Sequence, residues 1–269
     1  MADATRTNTS EVGRLLRGWR ERRRVSQLEL ALRADSSARH ISFVETGRSR
    51  PSEELVLRLA EHLDVPVRER NSLLLAAGYA PRFTETPLDD AALGPLRDGL
   101  EQLLRGYEPY PALIVDATYD VVAANRGLTA LLSALPEELL ERRPMNAMRL
   151  TLHPRGLAPR IRNLRAWRGH LLAQMERQIA LARSPRLREL YEEVAAYPVP
   201  EGADRAGSAG PVSYVALPMV LEHDGHVLSF VSSISTFNTP MDVTVAELAV
   251  ETLLPADPAT AKYLRTELG

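Results

Sequence analysis

Three side chains at helical spacing, Arg39, Ser42 and Phe43, carry the clearest chemistry in this sequence. Residues three and four apart share one helix face, so a guanidinium, a hydroxyl and an aromatic ring project together while Ile41 and Val44 point the other way. Arginine pairs bidentately with guanine, which makes Arg39 the first choice for reading a base, with a phosphate contact as the alternative. Other combinations offer less. His223-Asp224-Gly225-His226 sets two imidazoles around a turn signal, but no further ligands cluster with them, so no metal is expected. Gly207-Ser208-Ala209-Gly210 lacks the lysine and the following helix of a phosphate loop, and no nucleophile elbow is present. Neither catalysis nor a cofactor is expected.

A face built from Arg39, Ser42 and Phe43 needs a short helix held at a fixed angle. The stretch from Ser26 to Gly47 fits two short helices joined by a tight turn at Asp35-Ser36. Ala31 falls where they cross, a place for a very small side chain, and Ser37 is placed to cap the second helix. This is the arithmetic of a helix-turn-helix, whose second helix enters the major groove. An ordinary helical hairpin is the bland alternative. A helix over about 11–23 precedes it, with Val12, Leu16 and Trp19 as its apolar stripe, behind a polar and frayed 1–10. The run Arg20 to Arg24 ends that helix and either faces phosphates or is a solvated helix end. Gly47 suits the left-handed residue that closes a helix. Ser52 then caps a fourth helix carrying Leu55, Leu59 and Leu63, and a fifth runs from Val67 to about Ala76.

Composition sets the bounds. The chain has 269 residues, enough for about two domains. It has no cysteine, which excludes disulfides and thiolate metal sites. Residues 1–80 hold 14 Arg against 11 Asp plus Glu, a balance of +3, which leaves −5 for the remainder. A mildly basic module joined to an acidic one suits DNA binding by the first alone. No signal peptide is visible and no apolar run reaches the length of a membrane span, so a cytoplasmic protein without membrane contact is expected.

Pro81, Pro87 and polar residues mark 81–90 as a linker between a first domain over 1–80 and a second over 91–269. A helix over about 91–106 opens the second, serving either packing or dimerisation. Short β-rich runs follow at Ala112 to Val115 and Val121 to Ala124, and Asn125 is placed to cap the next helix, through Leu135. A long helix is expected over about 158–183 and a shorter one over 184–196. Strands are expected over 212–222 and 226–237, joined at Asp224-Gly225, the residues of a two-residue hairpin turn. A last strand fits 245–254, before a terminal helix from Ala259.

The first domain resembles the xenobiotic-response-element family of repressor-like regulators. The resemblance is carried by Leu16-Arg17, Arg20, Ser26-Gln27, Leu30-Ala31, Ala34, Ile41-Ser42, Glu45-x-Gly47-Arg48 and Pro51-Ser52. It implies that Gln27 starts the second helix against a phosphate and buttresses the recognition helix. It also implies that Ser37, Ala38, Arg39, Ser42 and Phe43 face bases, that Thr46, Arg48 and Arg50 hold the DNA backbone, and that Arg20 and Glu45 form an internal ion pair. Asp35 departs from the family's turn glycine, and Ser36 from an apolar residue. Aspartate adopts left-handed geometry at some cost, so the turn is expected to survive.

The second domain resembles the PAS fold and, more closely, the ligand-binding domain of MmyB-like regulators. The carriers are Tyr110-Pro111-Ala112 to Asn125, Asn146-x-x-Arg149-Leu150-x-x-His153-Pro154-x-Gly156-Leu157, Asn163-x-x-x-Trp167, and Thr239-Pro240-x-Asp242-Val243 with Pro255-Ala256-Asp257. The expected architecture is therefore an all-α, five-helix repressor-like DNA-binding domain, then an α+β PAS-like domain with a five-stranded antiparallel sheet. The resemblance implies a ligand-responsive regulator with an apolar or fatty-acid-like effector. Candidate pocket residues are Met145, Met148, Leu152, Ile161, Leu164, Trp167 and Leu171, facing a sheet that carries Val122, Met219 and Phe230; ordinary core is the alternative for each. Arg149, His153 and Asn163 are candidates to anchor a polar head group, with pairing to an acidic neighbour the alternative for Arg149 and satisfying backbone the alternative for His153. The expected whole is a homodimer on a double-stranded DNA operator, its geometry biased by a small molecule. The rival is a regulator whose second domain only dimerises or docks a protein.

Overall fold

The computed structural model describes residues 2–182, 184–199, 216–238 and 240–267, with backbone only for 2–10. They divide into two compact units, 1–86 with 239–246, and 87–238 with 247–269.

The first unit is five helices: α1 (Ala2–Arg22), α2 (Gln27–Arg33), α3 (Ala38–Glu45), α4 (Glu53–His62) and α5 (Val67–Ala76). Three start on serine caps. Ser26, Ser37 and Ser52 each accept from the backbone N–H three residues on, as their positions before the apolar runs predict. Asp35 takes the turn with φ +46° and Gly47 closes α3 with φ +72°. The two apolar stripes meet in one core containing Val12, Leu16, Trp19, Leu30, Ala31, Ile41, Val44, Leu55, Leu59 and Leu63. A Cβ on Gly13 would lie 2.4 Å from the Val44 carbonyl oxygen, so the missing side chain lets α1 rest on the end of α3. The polar stretch expected to fray continues α1 to Ala2 instead, since extending an existing helix needs no new nucleus.

The second unit holds α6 (Gly94–Gly106), β1 (Ala112–Val115), β2 (Val121–Ala124), α7 (Arg126–Leu132), α8 (Glu137–Leu140), α9 (Ala147–Leu152), α10 (Leu164–Ala182), α11 (Pro185–Ala195), β3 (Met219–His223), β4 (His226–Thr236), β5 (Ala249–Pro255) and α13 (Pro258–Glu267), while the short α12 (Val243–Glu247) falls in the first unit but for its last residue. The sheet is antiparallel in the order β2-β1-β5-β4-β3. Period-two alternation divides its central strands between two cores. Ala112, Ile114 and Val250 pack with Leu100 and Leu104 of α6, while Leu113, Val115 and Leu253 join the larger core under α7, α9, α10 and α11. Asn125 ties these parts together. Its amide oxygen accepts from Leu128 N and Ala112 N, and its amide nitrogen donates to Leu104 O and Tyr110 O.

Several boundaries differ from the sequence expectation. The strand expected from Val245 starts at Ala249, because the Asp242 carboxylate accepts from Thr244 N and Val245 N and sets up α12. The other Asp242 oxygen accepts from Thr84 Oγ1, Thr86 N and Thr86 Oγ1, which places this loop in the first unit. The strand expected over 212–222 is seen from Met219, and 212–215 lie outside the described residues. Asp224 and Gly225 turn the hairpin with φ +46° and +76°. A register shift between Ile114 and Val115 turns Val121, not Val122, toward the core; Val122 is exposed.

Candidate functional site

The recognition helix α3 shows the expected sidedness. Ile41, Val44 and Glu45 are buried, while Ser37, Arg39, Thr46 and Arg48 are exposed and Ala38, Ser42 and Phe43 half-buried. The guanidinium carbons of Arg39 and Arg48 lie 5.2 and 5.8 Å from the centre of the Phe43 ring, making one cationic-aromatic surface.

Beneath that surface sits an ion pair. Arg20 Nε donates to Glu45 Oε1 at 2.7 Å and Arg20 Nη2 to Glu45 Oε2 at 2.9 Å. Gln27 Nε2 donates to Glu45 Oε2 at 2.8 Å, so Gln27 buttresses α3 from the first turn of α2. Two other arginines of the run also turn inward, while Arg24 is exposed. Arg22 stacks 4.2 Å over Trp19, and Arg23 donates to the Leu63 and Asp64 carbonyls at the end of α4. Arg50 donates to the Ala77 and Gly78 carbonyls and lies 4.8 Å over Tyr79, and Thr46 Oγ1 donates to Ser42 O. Both side chains thus serve helix ends in the protein as it stands.

The second unit encloses an apolar cavity with a mouth, about 640 Å³ of atom-free space with the mouth included. Its walls come from β1 and β2 (Leu113, Val121), α7 (Leu128, Leu132), Met145 with α9 (Ala147, Met148, Leu150, Thr151), Leu157, α10 (Trp167, Leu171), Met219, and β5 (Glu251, Leu253). Five of the expected residues meet there: Met145, Met148, Trp167, Leu171 and Met219. Leu152, Ile161, Leu164 and Phe230 are buried in the surrounding core and do not line it.

The three expected head-group anchors are engaged elsewhere. Arg149 holds Glu193 through bonds of 2.7–3.0 Å, and the Tyr197 hydroxyl donates to the same carboxylate at 2.6 Å. Arg149 chiefly brings Glu193 down to about 2, while burial and the adjacent carboxylate push Tyr197 up to about 12. His153 Nδ1 accepts from Arg155 N, its ring meets Tyr197 edge-on, and burial lowers its pKa. Asn163 pairs with the edge of β3, donating to Pro218 O and accepting from Val220 N. Arg149 and His153 do border a second, smaller hollow beside Met145.

One acidic group on the cavity wall, Glu251, escaped the sequence reading. Glu251 faces Leu113 across the β1–β5 ladder, on the apolar side of the sheet, where Ser232 Oγ donates to its Oε1 at 2.6 Å. Burial pushes this carboxyl up, against the opposing effect of Ser232. The Tyr119 hydroxyl, bonded to Gln174, is pushed up to about 12 by burial, with Glu251's charge adding to the rise. Trp167 is 3% exposed and its Nε1–H has no partner among the described residues. A glutamate at an inward position of an otherwise apolar strand was the available signal for Glu251. Nothing local distinguishes Trp167 from a core tryptophan.

The family model described as the MmyB-like transcription regulator ligand binding domain matches residues 96–266, more than half of the chain. The chain belongs to the MmyB-like transcription regulators. A helix-turn-helix domain model matches residues 11–73 of the same regulator. Among solved structures, the clp gene regulator ClgR from Corynebacterium glutamicum is similar at 24% identity, over 38% of this chain and 95% of that one, with a TM-score of 0.24. No curated protein matches. The regulator therefore pairs a DNA-binding helix-turn-helix with a ligand-binding domain. Among the described residues no helix is long and apolar enough to cross a membrane.

Proposed function

We propose that this regulator binds a specific operator as a cytoplasmic homodimer of the xenobiotic-response-element type, and that a small apolar effector held in its PAS-like second domain alters operator binding. Ser37, Ala38, Arg39, Ser42 and Phe43 face the bases, with Arg39 on guanine. Arg48 holds backbone, and Thr46 and Gln27 sit at helix ends where phosphates pass. Two recognition helices must match half-sites about one DNA turn apart, so a ligand that prefers one dimer geometry changes affinity by its differential binding.

The observation that carries the sensing half is the cavity itself. Leucines, methionines and one tryptophan line an open apolar hollow, where a well-packed core leaves few voids. Methionine suits such a wall because its flexible thioether adapts to irregular apolar shapes. Native mass spectrometry of the purified full chain, with operator binding measured before and after solvent extraction, tests the reading. A stoichiometric small molecule whose removal changes operator affinity is expected. A chain that carries nothing, takes up no apolar probe and binds DNA unchanged would make the second domain a dimerisation or docking module only.

A further inference from the structure

All five helices of the first unit close through a left-handed residue. Arg24 follows α1 with φ +55°, Asp35 follows α2 with +46°, Gly47 follows α3 with +72°, Asp64 follows α4 with +47° and Gly78 follows α5 with +79°. The backbone bonds repeat as well. In each case the next N–H donates to the carbonyl five residues back: Val25 to Arg20, Ser36 to Ala31, Arg48 to Phe43, Val65 to Ala60 and Tyr79 to Leu74. Glycine enters this region freely, and the short polar side chain of aspartate tolerates it. Arginine does not, because its Cβ crowds the following carbonyl oxygen.

Nothing in the fold uses the side chain that causes this strain. Arg24 is exposed and makes no hydrogen bond, ion pair or ring contact among the described residues. Tyr119, the other bulky residue with a positive φ among them, is buried and bonded to Gln174. The arginines around Arg24 are all engaged. Arg20 holds Glu45, Arg22 lies over Trp19 and Arg23 holds the end of α4. The connection that carries Arg24 is also pinned to the recognition helix from both sides. Arg20 Nη1 donates to Val25 O at 2.9 Å while its other nitrogens grip Glu45 of α3. Gln27, three residues after Arg24, donates to the same carboxylate.

We propose that Arg24 is a DNA-backbone contact, its guanidinium set against a phosphate beside the groove that α3 enters. A guanidinium matches phosphate oxygens with parallel N–H donors. Such a contact reads no base, so it strengthens binding to any sequence, in contrast to Arg39. The left-handed turn keeps this cation in place, and the strain is carried for DNA binding rather than for the fold.

The test is anisotropy of a fluorescein-labelled, mixed-sequence duplex of about 30 base pairs, titrated with the full chain between about 50 and 200 mM potassium chloride. Arg24→Gly should bind about fivefold or more weakly at about 0.1 M salt, with a salt slope shallower by about one for each chain bound. Its urea midpoint should equal or exceed the parent's, since glycine relieves the backbone. Arg24→Lys should keep the parent slope, because a point charge suffices to displace a counterion. Arg105→Gln removes one exposed charge from α6 and should also keep that slope. An unchanged slope in Arg24→Gly would overturn the proposal and leave Arg24 a solvated cation at the end of α1. Equal slope changes in Arg24→Gly and Arg105→Gln would overturn it too, in favour of net charge alone.

Discussion

Each unit sets a carboxylate among apolar side chains, and the two are finished differently. Glu45, under the recognition helix, is met by Arg20 through two hydrogen bonds and by Gln27 through a third. Glu251, on the cavity wall, is met by one serine hydroxyl, and the wall residue Trp167 has an indole N–H without a partner among the described residues. In the first unit the polar groups complete one another and fix a surface before DNA arrives. In the second, the Trp167 indole N–H has no partner among the described residues. A DNA reader gains from a rigid presentation of Arg39, Ser42 and Phe43, whereas a sensor needs a site whose energy changes when it is filled.

The largest expected effect lies at the finished pair. Glu45→Ala leaves Arg20 charged and mostly buried, and should destabilise the first unit by about 3 kcal/mol or more, read as a lower urea midpoint. A loss below about 1 kcal/mol would show that Arg20 reaches solvent and that the pair is ornamental to the fold. Arg39→Ala tests the surface that the pair supports. It should cost about 1–3 kcal/mol of operator affinity and relax selectivity at one position, with the fold intact. Equal loss on every sequence would make Arg39 a phosphate contact.

A third contrast is between the anchors expected for a head group and the network they form. Glu193 has its pKa lowered to about 2 by Arg149, from 4.5 when unperturbed. A carboxylate depressed by folding stabilises the protein fully above its unfolded value and loses that contribution as pH falls toward the folded one. Stability should therefore drop between about pH 4.5 and 2, by about 1–2 kcal/mol once solvent screening of this partly exposed pair is allowed for. Glu193→Gln should flatten that part of the stability profile in chemical denaturation. An unchanged profile would mean that Arg149 is free to serve the neighbouring hollow.

The two units were not equally legible in the sequence, for a physical reason. In the first, the information is local. Ser26, Ser37 and Ser52 announce helix starts, Gly47 a stop, and a 3.6-residue period separates Ile41 and Val44 from Arg39 and Ser42. In the second, the decisive facts are relations between distant segments. Glu193 lies 44 residues from Arg149, and a register shift in β1 exchanges Val122 for Val121. The β-rich Val243-Thr244-Val245 forms a helical turn because Asp242 caps it. Five of the expected wall residues line the cavity, three of them (Met148, Trp167 and Leu171) on helices whose inward faces are readable. Leu152, Ile161, Leu164 and Phe230 do not, since being apolar and inward cannot separate wall from filled core.

The smallest expected effect is also the most discriminating. Replacing a buried tryptophan normally costs several kcal/mol, because large contact area is lost. Trp167→Phe keeps an aromatic ring against His170 and removes an N–H that has no partner among the described residues. The lost area and the relieved N–H act in opposite directions, so stability of the ligand-free chain should stay within about 1 kcal/mol of the parent. If the urea midpoint falls by more than about 2 kcal/mol, the indole N–H is already satisfied in solution. Glu45 and Trp167 would then be the same kind of residue, and the contrast between a finished interface and an unfinished cavity would collapse to one carboxyl.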